Sequence, residues 1–109
     1  MIEEEIIEIH SRDYWVKIVE FLQQNWALID KVDDDTHVKV FFIHDLSGVF
    51  DEMIFTSMQE AENELIKNGF QKFSDNKEFQ RFLRAPEPPF VRAEHPNGPI
   101  YSSGEFWIR

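Results

Sequence analysis

The chain has 109 residues and a formal net charge of −10, from 21 acidic and 11 basic side chains. Phe, Tyr and Trp make up 15% of the residues, which is more than disordered acidic segments carry, so we expect one folded domain over residues 1–109. Cysteine is absent, which excludes disulfides, thiolate metal ligands and cysteine nucleophiles.

The first clear pattern predicts a helix that begins at Trp15 and ends near Trp26, after a short strand or lead-in at residues 3–9. Ser11 or Asp13 is suited to cap it, because both side chains accept hydrogen bonds from free helix amides. Apolar residues recur at helical spacing. They are Trp15, Ile18, Val19, Leu22 and Trp26.

Three strands are predicted next, over residues 27–32, 36–44 and 49–55. The second and third are rich in β-branched and aromatic residues, and the short turn Asp45–Gly48 separates them. This pattern predicts a β-hairpin, in which alternate residues share a face.

The second helix has the clearest boundaries. The segment Ser57–Glu60 has the capping-box pattern, in which the Ser hydroxyl and the Glu carboxylate each accept from the other residue's backbone amide. Asn68 and Gly69 are typical of a helix end, and Phe70 is expected to fold back onto the last turn. A brief extended stretch is predicted from Phe70 to Phe73.

A third helix is predicted from Asn76 to Arg84, with Asp75 as its cap. Its inward residues are expected to be Phe79, Phe82 and Leu83, and Pro86 prevents its continuation. A stiff Pro-rich connector follows, and the remaining residues predict a strand, a turn and a final strand. Tight turns between strands favour an antiparallel sheet, so we predict an α+β two-layer sandwich with two or three helices on one face.

No pattern in the sequence indicates a catalytic site, a cofactor or a metal centre. His37 and His44 lie seven residues apart on one predicted strand and therefore face opposite sides of the sheet. Asp51 and Glu52 are adjacent, so they do not form an acid–base pair. One of them must lie on a largely apolar face, where a strand-edge position or a partner base is the expected solution.

The acidic side chains are unevenly placed along the chain. Residues 1–64 carry a formal charge of −12, and residues 65–109 carry +2. Either the two halves attract each other within one fold, or the acids form an exposed face. The second alternative predicts a non-enzymatic binding protein that presents an acidic surface to a basic protein partner. Its predicted contact residues are Asp30, Asp33, Asp34, Asp35 and Glu52, with Tyr101 or Trp107 as aromatic anchors.

Two further hypotheses belong to other classes. One is a small enzyme or ligand-binding domain, in a dimer, with a pocket between the sheet and the helices. The other is a homodimer joined through the C-terminal strand. Lys77, Arg81 and Arg84 form a basic stripe, but the negative field of the whole chain argues against nucleic acid. The acidic first residues lack the basic region of a signal peptide, and no apolar run is long enough for a membrane span, so we expect a cytoplasmic protein.

Overall fold

The computed structural model describes residues 5–20, 23–31, 37–44 and 46–93. These residues form seven strands and two α-helices, so the predicted α+β class is confirmed. In chain order the elements are β1 (Ile6–Ile7), β2 (Trp15–Glu20), β3 (Gln23–Lys31), β4 (Val38–His44), β5 (Gly48–Phe55), α1 (Met58–Lys67), β6 (Gln71–Lys72), a 3₁₀ turn (Phe73–Asp75), α2 (Lys77–Phe82) and β7 (Phe90–Arg92).

All seven strands belong to one mixed sheet, in the order β1-β7-β5-β4-β3-β2-β6. Strands β2 to β5 form an antiparallel meander, because each pairs with the next strand along the chain. Strand β7 instead runs parallel to β5, with Gly48 opposite Val91, and antiparallel to β1. The prediction of a purely antiparallel sheet was therefore wrong at this one pairing.

The predicted first helix was wrong, because residues 15–20 form strand β2 and residues 23–26 form the first part of strand β3. Trp15 pairs with Ala27, and Val16 pairs with Trp26 in the antiparallel register. These four side chains are all buried, although neighbours on a strand point to opposite faces. Because apolar residues fall on both faces of these strands, their positions match helical spacing by coincidence.

The predicted hairpin is confirmed as β4 and β5. Val38 lies opposite Phe55, and Val40 lies opposite Met53. The turn is closed by a hydrogen bond of 3.0 Å from the Ser47 amide to the His44 carbonyl, and Ser47 has a φ of 67°. Residues 27–31 of the strand predicted over 27–32 form the second half of β3, which extends from Gln23 to Lys31, and residue 32 lies outside the described residues.

Helix α1 begins and ends where the sequence predicted. The Ser57 hydroxyl oxygen accepts from the Glu60 amide at 3.1 Å. The Glu60 carboxylate accepts from the Thr56 hydroxyl at 2.6 Å, so only half of the predicted capping box is seen. At the other end Gly69 has a φ of 93°, and the Phe70 amide donates to the Leu65 carbonyl at 2.9 Å. Phe70 is buried, as expected.

The two helices belong to opposite faces of the sheet, so the prediction that they share one face was wrong. On the α1 face, Ala61 and Leu65 of α1 join a buried cluster with strand residues. On the α2 face, Phe79 of α2 and Leu83 pack against a second cluster. The strand residues of the α1 face are Trp15, Ala27, Ile29, Val38, Val40, Phe42 and Phe55. Those of the α2 face are Val16, Trp26, Leu28, Phe41, Ile43, Val49 and Phe90.

Helix α2 is shorter than predicted, and its cap is Asn76, whose side-chain oxygen accepts from the Phe79 amide at 2.9 Å. Phe82 is 78% exposed, so its predicted inward position was wrong. Lys77, Arg81 and Arg84 are exposed as the basic stripe requires. The predicted turn and final strand after residue 93 lie outside the described residues. Helices long and apolar enough to cross a membrane do not occur in the described part of the chain.

Candidate functional site

Two of the predicted contact residues, Asp30 and Glu52, lie on the same face of the sheet. Asp30 lies two residues after Leu28 and four after Trp26 on β3, so it shares their face, which is the α2 face. Lys39 lies between the two acids, since it is the register partner of Asp30, and its Nζ is 3.6 Å from Glu52 Oε2. The structure therefore brings the two carboxylates to either side of one lysine.

The Asp30 carboxylate holds the segment that precedes β2. Its two oxygens accept from the backbone amides of His10 at 2.6 Å and Ser11 at 2.8 Å. Hydrogen bonds from amides to an ionised carboxylate are stronger than neutral ones. Asp30 thus fastens a connecting segment across the end of the sheet.

The Glu52 carboxylate joins three strands. Its Oε1 accepts from Arg92 Nη2 of β7 at 2.7 Å, while its Oε2 contacts Lys39 of β4. The hydrogen bond that Arg92 donates to Glu52 is the main reason that the pKa of Arg92 is raised. Arg92 Nε also lies 3.2 Å from Glu5 Oε2, next to β1. A partner base was one of the two outcomes expected for a strand acid on this face.

Ion pairs between the two halves of the chain are present, as the first of the two charge alternatives requires. Arg92 pairs with Glu5 and Glu52, and Lys72 lies 3.4 Å from Asp13 and 3.7 Å from Glu62. Most of the net negative charge belongs to other residues. The described residues contain 13 acids and 10 bases, so the remaining eight acids and one base carry −7 of the total −10.

The other predicted contact residues lie outside the described residues. They are Asp33, Asp34, Asp35, Tyr101 and Trp107. The chain joins residues 32–36 to Lys31 of β3 and to His37, which precedes β4. We call the end of the β3–β4 pair at Lys31 and Val38 the hairpin end; the β4–β5 turn lies at the other end of β4. Asp30 precedes Lys31 in β3 and therefore lies beside the hairpin end.

A cleft that the sequence did not predict lies at the opposite end of β4, between the sheet and the connector that follows α2. Its volume is about 1030 Å³. We call it the Arg12–Arg84 cleft. Its described lining residues are Arg12, Tyr14, Ser47, Phe73, Gln80, Leu83, Arg84, Ala85, Pro86, Glu87 and Pro88. They come from four separated parts of the chain, so no local sequence pattern predicts the site.

Hydrogen bonds to the connector fix the walls of the Arg12–Arg84 cleft. The Tyr14 hydroxyl donates to the Pro86 carbonyl, and the Ser47 hydroxyl donates to the Glu87 carbonyl at 2.6 Å. Burial raises the pKa of Tyr14, the nearby Arg12 opposes this effect, and Glu87 adds to it. Tyr14 therefore stays neutral and keeps its hydrogen bond at physiological pH.

The histidines do not form a metal site within the described residues. His44 is buried, and its Nδ1 accepts from the Leu46 amide at 3.0 Å. Its Nε2 lies 1.9 Å from the position that a Cβ atom on Gly48 would take. Groups of three or more His, Cys, Asp or Glu arranged to hold an ion are absent from the described part of the chain. His44 thus packs as a core residue against a glycine.

Comparisons with protein-family models, curated proteins and solved structures gave no significant match to this chain.

Proposed function

We propose that this chain is a non-enzymatic cytoplasmic binding protein that presents an acidic surface to a basic protein partner. The observation that supports it is the position of Asp30 and Glu52 on one face beside the hairpin end, from which the chain continues into Asp33, Asp34 and Asp35. Asp30 and Glu52 thus lie near the point where β3 ends and the chain continues toward the other three predicted contact acids.

We assign different roles to the predicted contact residues according to their contacts. The carboxylates of Asp30 and Glu52 are engaged by the protein's own amides and cations, so their role is to hold the hairpin end in place. Asp33, Asp34 and Asp35 supply the charge for the partner, and Tyr101 and Trp107 serve as aromatic anchors. A net charge of −10 raises the association rate with a basic partner and makes binding sensitive to salt.

The test is affinity capture from cell lysate, followed by mass spectrometry, with the wild type and two triple variants. The first variant carries Asp33→Asn, Asp34→Asn and Asp35→Asn. The matched control carries Glu64→Gln, Asp75→Asn and Glu78→Gln, which removes the same charge from α1, the 3₁₀ turn and α2. We expect one basic protein to be enriched by the wild type and by the control, and to be lost with the first variant and at high salt.

The captured protein is then purified, and its dissociation constant is measured at several salt concentrations for all three chains. Equal weakening by the two triple variants would mean that net charge alone acts, which contradicts a specific contact region. A partner whose binding does not respond to salt would contradict the electrostatic mechanism, as would the recovery of no basic protein at all.

A further inference from the structure

We infer that the Arg12–Arg84 cleft binds a small organic anion, a molecule that joins a carboxylate or phosphate group to an apolar body. This inference goes beyond the proposed protein partner and does not depend on it. It gives the ligand-binding hypothesis a defined site between the sheet and α2. The cleft has the size of a small-molecule pocket, which is typically about 300–1,000 Å³.

The charge of the cleft is opposite in sign to that of the chain. Its described lining residues include the guanidinium groups of Arg12 and Arg84 and one carboxylate, that of Glu87, so their formal charge is +1. Lys39, Lys72 and Arg92 each contact an acid, whereas Arg12 and Arg84 form no ion pair with any acid among the described residues. Two arginines that pair with none of the 13 described acids indicate an anionic ligand.

Arg12 is held in place before any ligand arrives. Its Nη1 donates to the Ile9 and Ser11 carbonyls, both at 2.6 Å, and its guanidinium lies 5.3 Å from the centre of the Phe90 ring. Binding to an immobilised donor costs less side-chain entropy than binding to a mobile one. Arginine also offers a planar fork that matches two oxygens of a carboxylate or a phosphate.

The remaining lining residues suit the apolar part of such a ligand. Phe73 and Leu83 pack on the α2 face, and Tyr14 presents its ring edge-on to Trp26, with 5.9 Å between the ring centres. Trp26 is fully buried and also lies 5.2 Å from Phe73. Since Trp26 contacts two of the lining rings, its fluorescence should report a ligand in the cleft.

The test uses benzoate and phenyl phosphate as anionic probes and benzamide as the neutral control, at constant ionic strength. Binding is measured by tryptophan fluorescence and by calorimetry. Arg84→Gln is compared with Arg81→Gln, because both side chains are exposed, both substitutions remove one charge, and only Arg84 lines the cleft. Arg12→Gln is a second cleft variant, whose folding is checked by circular dichroism.

We expect at least one anion to bind more tightly than benzamide, and Arg84→Gln to weaken it about tenfold, as for the loss of one charged hydrogen bond. Arg81→Gln should stay within about twofold of the wild type, since it alters only the distant field. The inference is overturned if neither anion binds better than benzamide, or if Arg81→Gln and Arg84→Gln weaken binding equally. The identity of the anion that binds best separates carboxylate from phosphate ligands.

Discussion

The contact between Gly48 and His44 gives a prediction that can be worked out from the structure. In Gly48→Ala the new methyl group would lie 1.9 Å from His44 Nε2, whereas ordinary contact begins near 3.4 Å. His44 is only 6% exposed, so its imidazole is enclosed by other protein atoms. The ring or the strand must move, because a Cβ atom and a ring nitrogen cannot approach each other to 1.9 Å.

Three contributions determine the change in the free energy of unfolding, two destabilising and one stabilising. Overpacking of a filled interior costs about 1–3 kcal/mol. Moving the ring also breaks the hydrogen bond from the Leu46 amide to His44 Nδ1, which is worth about 1 kcal/mol. Replacing glycine stabilises the protein by about 0.4–1 kcal/mol through the unfolded chain, and Gly48 does not have the positive φ that would oppose alanine. We therefore expect Gly48→Ala to lower the free energy of unfolding by about 2 kcal/mol.

The assay is urea unfolding, followed by circular dichroism, of four chains: the wild type, Gly48→Ala, His44→Ala and the double variant. His44→Ala removes the obstructing ring, so in that background Gly48→Ala should cost nothing or stabilise slightly. The expected coupling energy between the two sites is about 2–3 kcal/mol. The reasoning would be refuted if Gly48→Ala cost the same in both backgrounds, or changed the wild type by less than about 0.5 kcal/mol.

Three other predictions concern the helices and the cleft. Ser57→Ala removes the side-chain cap of α1 and should lower the urea midpoint by the equivalent of about 1 kcal/mol, while Ser74→Ala, an exposed site, should change it little; equal effects would contradict the cap. Phe79→Ala removes a ring packed on the α2 face and should cost more than about 1 kcal/mol, whereas Phe82→Ala should stay within about 0.5 kcal/mol; the reverse order would contradict the orientation of α2. Tyr14 is the only tyrosine left in the Tyr101→Phe variant, and its ultraviolet absorbance should show a pKa above the ordinary value of 10.0. Because the folded state keeps that proton longer, stability should fall as the pH rises from 10.0 through the folded-state pKa, and a midpoint at or below 10.0 would contradict burial of the hydroxyl.

The elements that could be predicted were those whose signals lie within a few residues. The boundaries of α1 follow from Ser57 and Gly69, because a cap and a left-handed glycine act on neighbouring backbone groups. The β4–β5 hairpin follows from alternation on both sides of a short turn, since consecutive strands joined by a turn pair locally. The charge of −10 and the absence of cysteine likewise needed no fold.

The tertiary structure alone decided the rest. Residues 15–20 and 23–26 form strands because residues such as Trp15 and Val16 are buried in the clusters on opposite faces of the sheet, and this burial outweighs a helical pattern of apolar residues. Strand β7 pairs with β1 and β5, which lie more than 30 residues away, and this pairing places Arg92 beside Glu52. The Arg12–Arg84 cleft was also beyond prediction, because its walls come from distant segments that only the packing of α2 and its connector brings together.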